Sequence, residues 1–372
     1  MSKNWRDELK DVFLDGLSAV TGKSSVARAL SEHTEFAPTM IVAVGKAALD
    51  MYQGCRPQHQ DVPAYIVTKY GHGRLDEPNV TVTQSSHPVP DAASLKAGEG
   101  LVAWLDGATH DDKLLMLVSG GASSLVEKLN EGKSLNDLRR MTAAALSDGS
   151  TIEEINARRI ELSEVKGGKL LSRFKGSEIL VLAISDVSSD DVEIIGSGIG
   201  ARGSFRGHYV SEIVASNRVF RSVLEERFRT RGVDVVANAE TLNAPVEKVV
   251  LASLKSVRSS GPGVYIYGGE PTINLPDDPG IGGRAQGLAL LFAKAIVGRG
   301  DLHILVSGSD GSDGVSDATG AIVDGDTFAR IPDAEGYLER ADSGTFFKKS
   351  GEAIVTGPTG TNVADVVVLM RE

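Results

Sequence analysis

The chain of 372 residues is poor in cysteine, in patterned histidine and in long apolar runs. Its single cysteine, Cys55, excludes an intrachain disulfide and a cysteine-based zinc site. The seven histidines, His33, His59, His72, His87, His110, His208 and His303, show no His-x-x-x-His spacing, which argues against a zinc hydrolase. No segment approaches the ~18 consecutive apolar residues of a membrane span. The start, MSKNWRDELKDVFLDGL, lacks the apolar centre of a signal peptide, so a cytoplasmic protein without a membrane partner is expected. Basic residues are in deficit: 39 Lys and Arg against 50 Asp and Glu give a net charge of −11, which weighs against nucleic acid as a partner. Proline is also scarce, at 13 residues, whereas glycine reaches 42. A disordered linker would gather those glycines into low-complexity runs; here they are scattered. With 41% hydrophobic and 24% charged residues the composition is that of a folded globular chain, and its length favours two domains.

Short apolar runs alternate with helical patterns. Strands are expected at Met40–Val44, Tyr65–Val67, Leu114–Val118, Ile179–Ile184 and Val233–Val236, then at Val264–Tyr267, Ile304–Val306 and Ala364–Leu369. Helices are expected over 2–20, 24–35, 93–106, 134–148, 151–162, 217–230, 244–257 and 284–297. Continuous apolar strands between helices indicate an α/β sheet covered on both faces. The polar stretch Asn238–Asn243 suggests a junction near residue 240, giving domains of residues 1–240 and 241–372.

Four glycine clusters come directly after expected strands: Gly45-Lys46, Ser119-Gly120-Gly121-Ala122-Ser123-Ser124, Gly268-Gly269-Glu270, and Ser307-Gly308-Ser309-Asp310-Gly311-Ser312-Asp313-Gly314. Ligands of open α/β sheets bind at the carboxyl ends of strands, where glycine lets the backbone approach closely and the next helix offers N–H groups to an anion. Strand-to-helix turns use glycine anyway, but four clusters carrying Lys, Ser, Glu and Asp favour phosphate handling. Lys46 suits a point contact with phosphate oxygens. Asp186, after Ile179–Ile184, suits Mg²⁺, which takes one or two carboxylates together with phosphate oxygens. His87 lies in a two-proline turn, His87-Pro88-Val89-Pro90-Asp91. Asp310–Gly314 lacks the remaining ligands and the final glutamate of a calcium loop, and its plain structural reading is an Asp-rich turn capping the next helix. Gly16–Ser24 resembles a P-loop but has five residues between its glycines and comes after a helix. The dinucleotide fingerprint is missing after the first strand, and Gly196-Ser197-Gly198-Ile199-Gly200 has its glycines at the wrong interval.

The ordered set Val44-Gly45-Lys46-Ala47-Ala48, His87-Pro88-Val89-Pro90-Asp91, Ser119-Gly120-Gly121-Ala122-Ser123, Lys166-Gly167-Gly168-Lys169-Leu170, Ser185-Asp186-Val187, Gly268-Gly269-Glu270-Pro271-Thr272, Gly282-Gly283-Arg284, Asp310-Gly311-Ser312-Asp313-Gly314 and Thr356–Val363 resembles the glycerate 2-kinase family, whose C-terminal part is called the MOFRL domain. Some members carry the older name hydroxypyruvate reductase. The resemblance spans nearly the whole chain. It implies two different α/β domains, the larger a Rossmann-like three-layer sandwich, with the active site in the cleft between them. It implies ATP and Mg²⁺, and transfer of the γ-phosphoryl group to the 2-hydroxyl of D-glycerate. In that scheme Lys46, Asp186 and Arg284 are catalytic, and Asp186 and Glu270 hold the metal. Ser119, Gly120, Gly121, Ser123, His87, Arg159, Lys166, Glu270, Asp310, Asp313 and Asn362 bind substrate or nucleotide. The partners are the small hydroxy acid and ATP; a homodimer is left open.

The chain departs from the family pattern in places. Gly-Gly-Arg-Asn-Gln-Glu becomes Gly282-Gly283-Arg284-Ala285-Gln286-Gly287, which loses an amide and a carboxylate. Asn-x-Val-Arg-Lys-His-Leu-Ser becomes Asn156-Ala157-Arg158-Arg159-Ile160-Glu161-Leu162-Ser163, and Ser-Gly-Pro becomes Ser197-Gly198-Ile199. These changes keep open a kinase for a related small sugar acid and a non-catalytic sugar-acid sensor, and the older family name alone keeps open an NAD(P)H-dependent hydroxypyruvate reductase.

Overall fold

The computed structural model describes residues 4–73, 75–147 and 152–372; the expected helix ends at residues 2, 3, 148 and 151 lie outside them. In chain order the elements begin with α1 (Trp5–Ala19), α2 (Gly22–Glu32), β1 (Met40–Val44), α3 (Ala48–His59), β2 (Ala64–Lys69), β3 (Val80–Ser85), α4 (Ala92–Asp106), β4 (Lys113–Val118), α5 (Ala122–Leu125), α6 (Leu135–Ser147), α7 (Ile152–Leu162), β5 (Glu178–Ile184) and β6 (His208–Ala215). The chain continues with α8 (Asn217–Thr230), β7 (Val235–Glu240), α9 (Val246–Ser259), β8 (Gly263–Gly269), α10 (Arg284–Ala295), β9 (Leu302–Gly308), β10 (Gly320–Asp324), α11 (Ala334–Glu339), α12 (Ser343–Ser350), β11 (Ala353–Ile354) and β12 (Asp365–Arg371). Among the described residues no helix is long and apolar enough to cross a membrane.

The chain forms two compact units. One comprises Thr21–Ser216 with Gly360–Asn362; the other comprises the N-terminal residues through Val20, Asn217–Thr359 and Val363–Glu372. This division differs from a cut near residue 240. Strand β7 pairs with β8 and α8 packs on both, so residues 217–240 belong to the second unit. Helix α1 also joins that second unit. Its Phe13 meets Phe220 of α8 edge-on at 5.9 Å, and Gly16 lies so close that a Cβ there would stand 2.6 Å from Leu224 Cδ2. Asp15 and Glu8 reach Arg227 and Arg231 of the same helix.

The first unit is built on a parallel sheet in the order β3-β2-β1-β4-β5-β6. Its central strands are apolar on both faces because helices cover both. Val42, Val44, Met116 and Val118 pack against Ala97, Leu101 and Leu105 of α4. Ile41 and Ala43 point the opposite way and are equally buried, beneath the side on which α2 and α3 pack. Burying each such aliphatic side chain contributes about 1.5–3 kcal/mol. Helix starts are set locally. Thr21 caps α2 by accepting from Ser24 N, and Asp91 and Ser94 form a reciprocal capping box on α4.

The second unit holds a mixed sheet in the order β11-β10-β9-β12-β8-β7. Only the β7–β8 pairing is parallel among its neighbours. Its core gathers Val249 and Leu254 of α9, Leu288 and Phe292 of α10, and Phe346 and Phe347 of α12 onto the strands.

Candidate active site

In the first unit the chain runs outward from β1 to β2 and β3 on one side and from β4 to β5 and β6 on the other. The order reverses between β1 and β4, which is where open α/β sheets form a ligand crevice at the strand carboxyl ends. Both turns leaving that point are glycine-dependent. Gly45 has φ 131° and lies against the β4 turn; a Cβ there would be 2.1 Å from Ser119 Oγ. The two turns are then stitched together: Lys46 N donates to Gly120 O at 2.9 Å, and Ala47 N donates to Ser119 Oγ at 3.1 Å. Ser119 is therefore a buried strut rather than a ligand group.

Gly120 and Gly121 shape the crevice itself. A Cβ on Gly121, which has φ 86°, would come 3.0 Å from His87 Cδ2 and 3.2 Å from Lys46 Cγ. A Cβ on Gly120 would come 2.1 Å from both Asp186 Oδ2 and Asn362 Nδ2. The structure thus brings together Lys46, His87, Gly120, Gly121, Asp186 and Asn362, which the sequence spreads over more than three hundred positions. Asn362 Nδ2 donates to Asp186 Oδ2 at 3.3 Å and orients that carboxylate. The carbonyl of Lys46 is tied to His72 Nδ1 at 3.0 Å.

Ser123, the second residue of α5, bonds Ser197 Oγ at 2.7 Å, and Ser197 Oγ donates to Asn156 Oδ1 of α7 at 3.1 Å. Ser197 carries φ 58° between Gly196 and Gly198, which are also left-handed. A non-glycine residue there costs about 1–2 kcal/mol, and the cost is borne where the hydroxyl meets the glycine loop. The glycine run 196–200, which is no dinucleotide fingerprint, serves this turn. Ser197 and Asn156 were not among the expected site residues. The sequence signal for them was that each opens a segment matched to a family motif, Asn156–Ser163 and Ser197–Ile199, which gives no partner.

Lys166 departs from expectation. Its side chain is 1% exposed, and Nζ donates to Glu127 Oε2 at 2.7 Å and Val126 O at 3.2 Å. Burial pulls its ammonium below the ordinary value, Glu127 opposing. It is an interior ion-pair partner and not a ligand-contacting group. Arg159 is partly buried. Burial lowers its pKa, and Glu127, which no sequence motif marks, again opposes.

The second unit contains the other expected residues. Arg284 opens α10; its Nε donates to Asp365 Oδ2 at 2.7 Å and its Nη1 to Glu270 Oε1 at 2.9 Å. Burial opposes the charge, but the two carboxylates overcome it and raise the arginine pKa. The expected free fork for a bidentate anion is thus occupied on two of its three nitrogens, and Glu270, expected at a metal, is engaged by Arg284. Asp365 was missed because a lone Asp at a strand start carries no motif. Asp313 is buried and accepts from Ala285 N at 3.0 Å and Gln286 N at 2.7 Å, so it caps α10. Burial raises its carboxyl to about 6, with those two N–H groups pulling it back. Asp310 accepts from Ser312 N within its own loop. Asp313 is therefore a helix cap, but of α10, which precedes it in the chain, rather than of the helix that follows its own turn. No group of three His, Cys, Asp or Glu residues suited to a metal occurs among the described residues.

Known proteins share both the sequence and this fold. Residues 8–228 match the domain of unknown function DUF4147, and residues 263–365 match the MOFRL family. A D-glycerate 2-kinase of Thermotoga maritima is 32% identical over 88% of this chain and 89% of its own length. A glycerate 2-kinase of Pyrococcus horikoshii is 31% identical over 88% of this chain and 86% of its own length. A protein of Agrobacterium vitis, 31% identical over 98% of this chain and 94% of its own, carries the provisional name hydroxypyruvate reductase. The crystal structure of a Thermotoga maritima glycerate kinase superposes with a TM-score of 0.87 at 29% identity, covering 99% of both chains. Fold, motif order and whole-length likeness agree, and the chain belongs to the glycerate 2-kinase family with its DUF4147 and MOFRL parts.

Proposed function

We propose that the protein transfers the γ-phosphoryl group of ATP to the 2-hydroxyl of D-glycerate, giving 2-phosphoglycerate, in the cytoplasm. The observation that carries this reading is the crevice between β1 and β4, where Lys46, His87, Asp186 and Asn362 surround two glycines that leave no room for a Cβ. Phosphoryl transfer asks for positioning and charge neutralisation more than for covalent chemistry, and this inventory supplies both. Lys46, whose Cγ lies beside Gly121, would supply its ammonium to balance the charge on the transferred group. The loop backbone at Gly120 and Gly121 offers close approach to phosphate or carboxylate oxygens. Asn362 holds Asp186 in one orientation. Asp186 then accepts the proton of the substrate hydroxyl or faces the metal. A single carboxylate fits the way Mg²⁺ is bound beside phosphates, and Asp186 suits it better than Glu270, which Arg284 engages. When bound, Mg²⁺ would supply charge neutralisation on the phosphate oxygens.

The strand order alone also suits a dinucleotide enzyme. The β1 turn, however, is Gly45-Lys46-Ala47-Ala48-Leu49, with a lysine where a pyrophosphate would need bare backbone, so reduction of hydroxypyruvate is the weaker reading. Phosphorus NMR of the product formed from D-glycerate and Mg-ATP tests the proposal. A 2-phosphoglycerate resonance is expected. A 3-phosphoglycerate product overturns the regiochemistry. ADP formation only with another acid of a hydroxy-acid panel moves the reading to a related sugar acid. Acid binding by calorimetry with no ADP from any of the panel replaces the kinase with a sensor.

A further inference from the structure

Glu127 and Lys166 form an ion pair that is almost completely buried, with side-chain exposures of 0% and 1%. Such a pair is costly to desolvate and weak evidence of added stability, so its presence asks for another reason. The bonds around it close a ring through the crevice loop. Lys166 Nζ holds Val126 O, the residue that ends α5, and Glu127 Oε2 beside it. Glu127 Oε1 accepts from Ser163 Oγ at 2.5 Å, and Ser163 Oγ accepts from Val165 N and Lys166 N. The next two residues, Gly167 and Gly168, donate their N–H groups to Ser197 O and Gly198 O at 2.9 and 2.8 Å. Ser197 Oγ returns to Ser123 Oγ in α5. The four-residue helix that carries Ser123 is thus gripped at its end by the ion pair and on its flank by the turn the ion pair anchors. No member of the pair faces solvent, so none can contact a ligand directly.

We propose that Glu127 and Lys166 are positioning residues that hold the Ser119–Leu125 segment in its anion-receiving conformation. The catalytic consequence rests on the phosphoryl-transfer reading; the conformational one does not. Removing either charge alone strands the other inside the protein, so the informative variant is the double Glu127→Met/Lys166→Met, which replaces the pair by apolar side chains of similar size. Its melting temperature is expected to lie within several degrees of the wild type, because the two fully buried charges leave together and Arg159, which loses Glu127, is only partly buried. Amide hydrogen exchange over Ser119–Leu125 is expected to accelerate about tenfold or more, and kcat to fall roughly 10²-fold with little change in KM, the pattern of a misplaced reacting group. A double variant with wild-type exchange at these amides overturns the proposal, as does one with wild-type kcat. Should that variant not fold, Ser163→Ala removes only the hydroxyl linking Glu127 to the 165–166 backbone. It is expected to raise exchange at Ser119–Leu125 several-fold and lower kcat, and unchanged values of both overturn the proposal. If the wild-type protein transfers no phosphoryl group, the proposed function fails, while the exchange measurement still decides the role of the ion pair.

Discussion

Replacing Gly120 by alanine tests whether the placement of Asp186 matters. Gly120 is not in the left-handed region, so its backbone accepts alanine without torsional strain. The new methyl group would stand 2.1 Å from Asp186 Oδ2 and from Asn362 Nδ2. Ordinary van der Waals contact begins near 3.4 Å, so both groups must retreat by about 1.3 Å. Both are the ends of side chains, which move more cheaply than backbone. The fold should survive, with a melting temperature within a few degrees of wild type. Catalysis should not, because a misplacement of about 1 Å costs roughly 10²-fold, or about 2.7 kcal/mol of transition-state stabilisation. The assay is ADP release with D-glycerate and Mg-ATP, run beside thermal unfolding. A folded Gly120→Ala protein within threefold of the wild-type kcat/KM would refute the assignment of Asp186 and Asn362 to the reacting centre.

Lys46→Ala should lower kcat by roughly 10²–10³-fold while circular dichroism stays unchanged, since removing one preorganised charge-stabilising group typically costs that much; unaltered turnover would remove Lys46 from the chemistry. Burial raises the Asp313 carboxyl from 3.8 to about 6, so the folded chain holds this proton more tightly than the unfolded one. The associated stability is present below about pH 3.8 and is lost as pH rises through 6, by up to about 3 kcal/mol. Denaturant unfolding of Asp313→Asn between pH 4 and 7 should therefore show a flatter dependence than wild type, and parallel curves would count against it. Cys55 is buried, and burial pushes its thiol up to about 12, so iodoacetamide should label it only on unfolding; labelling of the native protein at the rate of a free thiol would contradict that packing.

The central strands were legible because burial on both faces leaves a continuous apolar run. Met40–Val44, Lys113–Val118 and Glu178–Ile184 are such runs, and they emerged within a residue or two of expectation. Strands β3, Val-Thr-Val-Thr-Gln-Ser, and β6, His-Tyr-Val-Ser-Glu-Ile-Val-Ala, were not expected. They are the two edges of that sheet, mostly half-buried or exposed, and half-exposed strands mix polar and apolar residues without a run to mark them. A helix was expected to start near Lys46, but the extent of α3 was hidden by Gly54 and Pro57, both poor helix residues. Gly54 is required because the Lys23 carbonyl oxygen would stand 2.6 Å from a Cβ, a tertiary demand that propensity does not express. The membership of α1 was equally invisible, since its periodicity shows that it is a helix but not that Phe220 and Leu224, two hundred residues on, receive it.

The same contrast governs the charges. Composition gives an acidic chain with a net charge of −11, yet affinity for an anion is settled by which charges are neutralised in place. Behind the crevice loop the Glu127 carboxylate opposes the burial penalty on two cations, Lys166 and Arg159. Arg284 has the opposite arrangement, one guanidinium to two carboxylates, and looks spent as an anion ligand. Its two bonds are unequal, however. The Asp365 carboxylate is 8% exposed and fixed at the start of β12, whereas the Glu270 side chain is 60% exposed. An ion pair that open to water contributes only about 0–1 kcal/mol, so under the proposed function a phosphate or carboxylate would displace Glu270 at small cost while Asp365 kept the guanidinium in place. Arg284 is held by a buried carboxylate on one side and an exposed one on the other, and that asymmetry is what the proposed anion-binding role would require of its occupied fork.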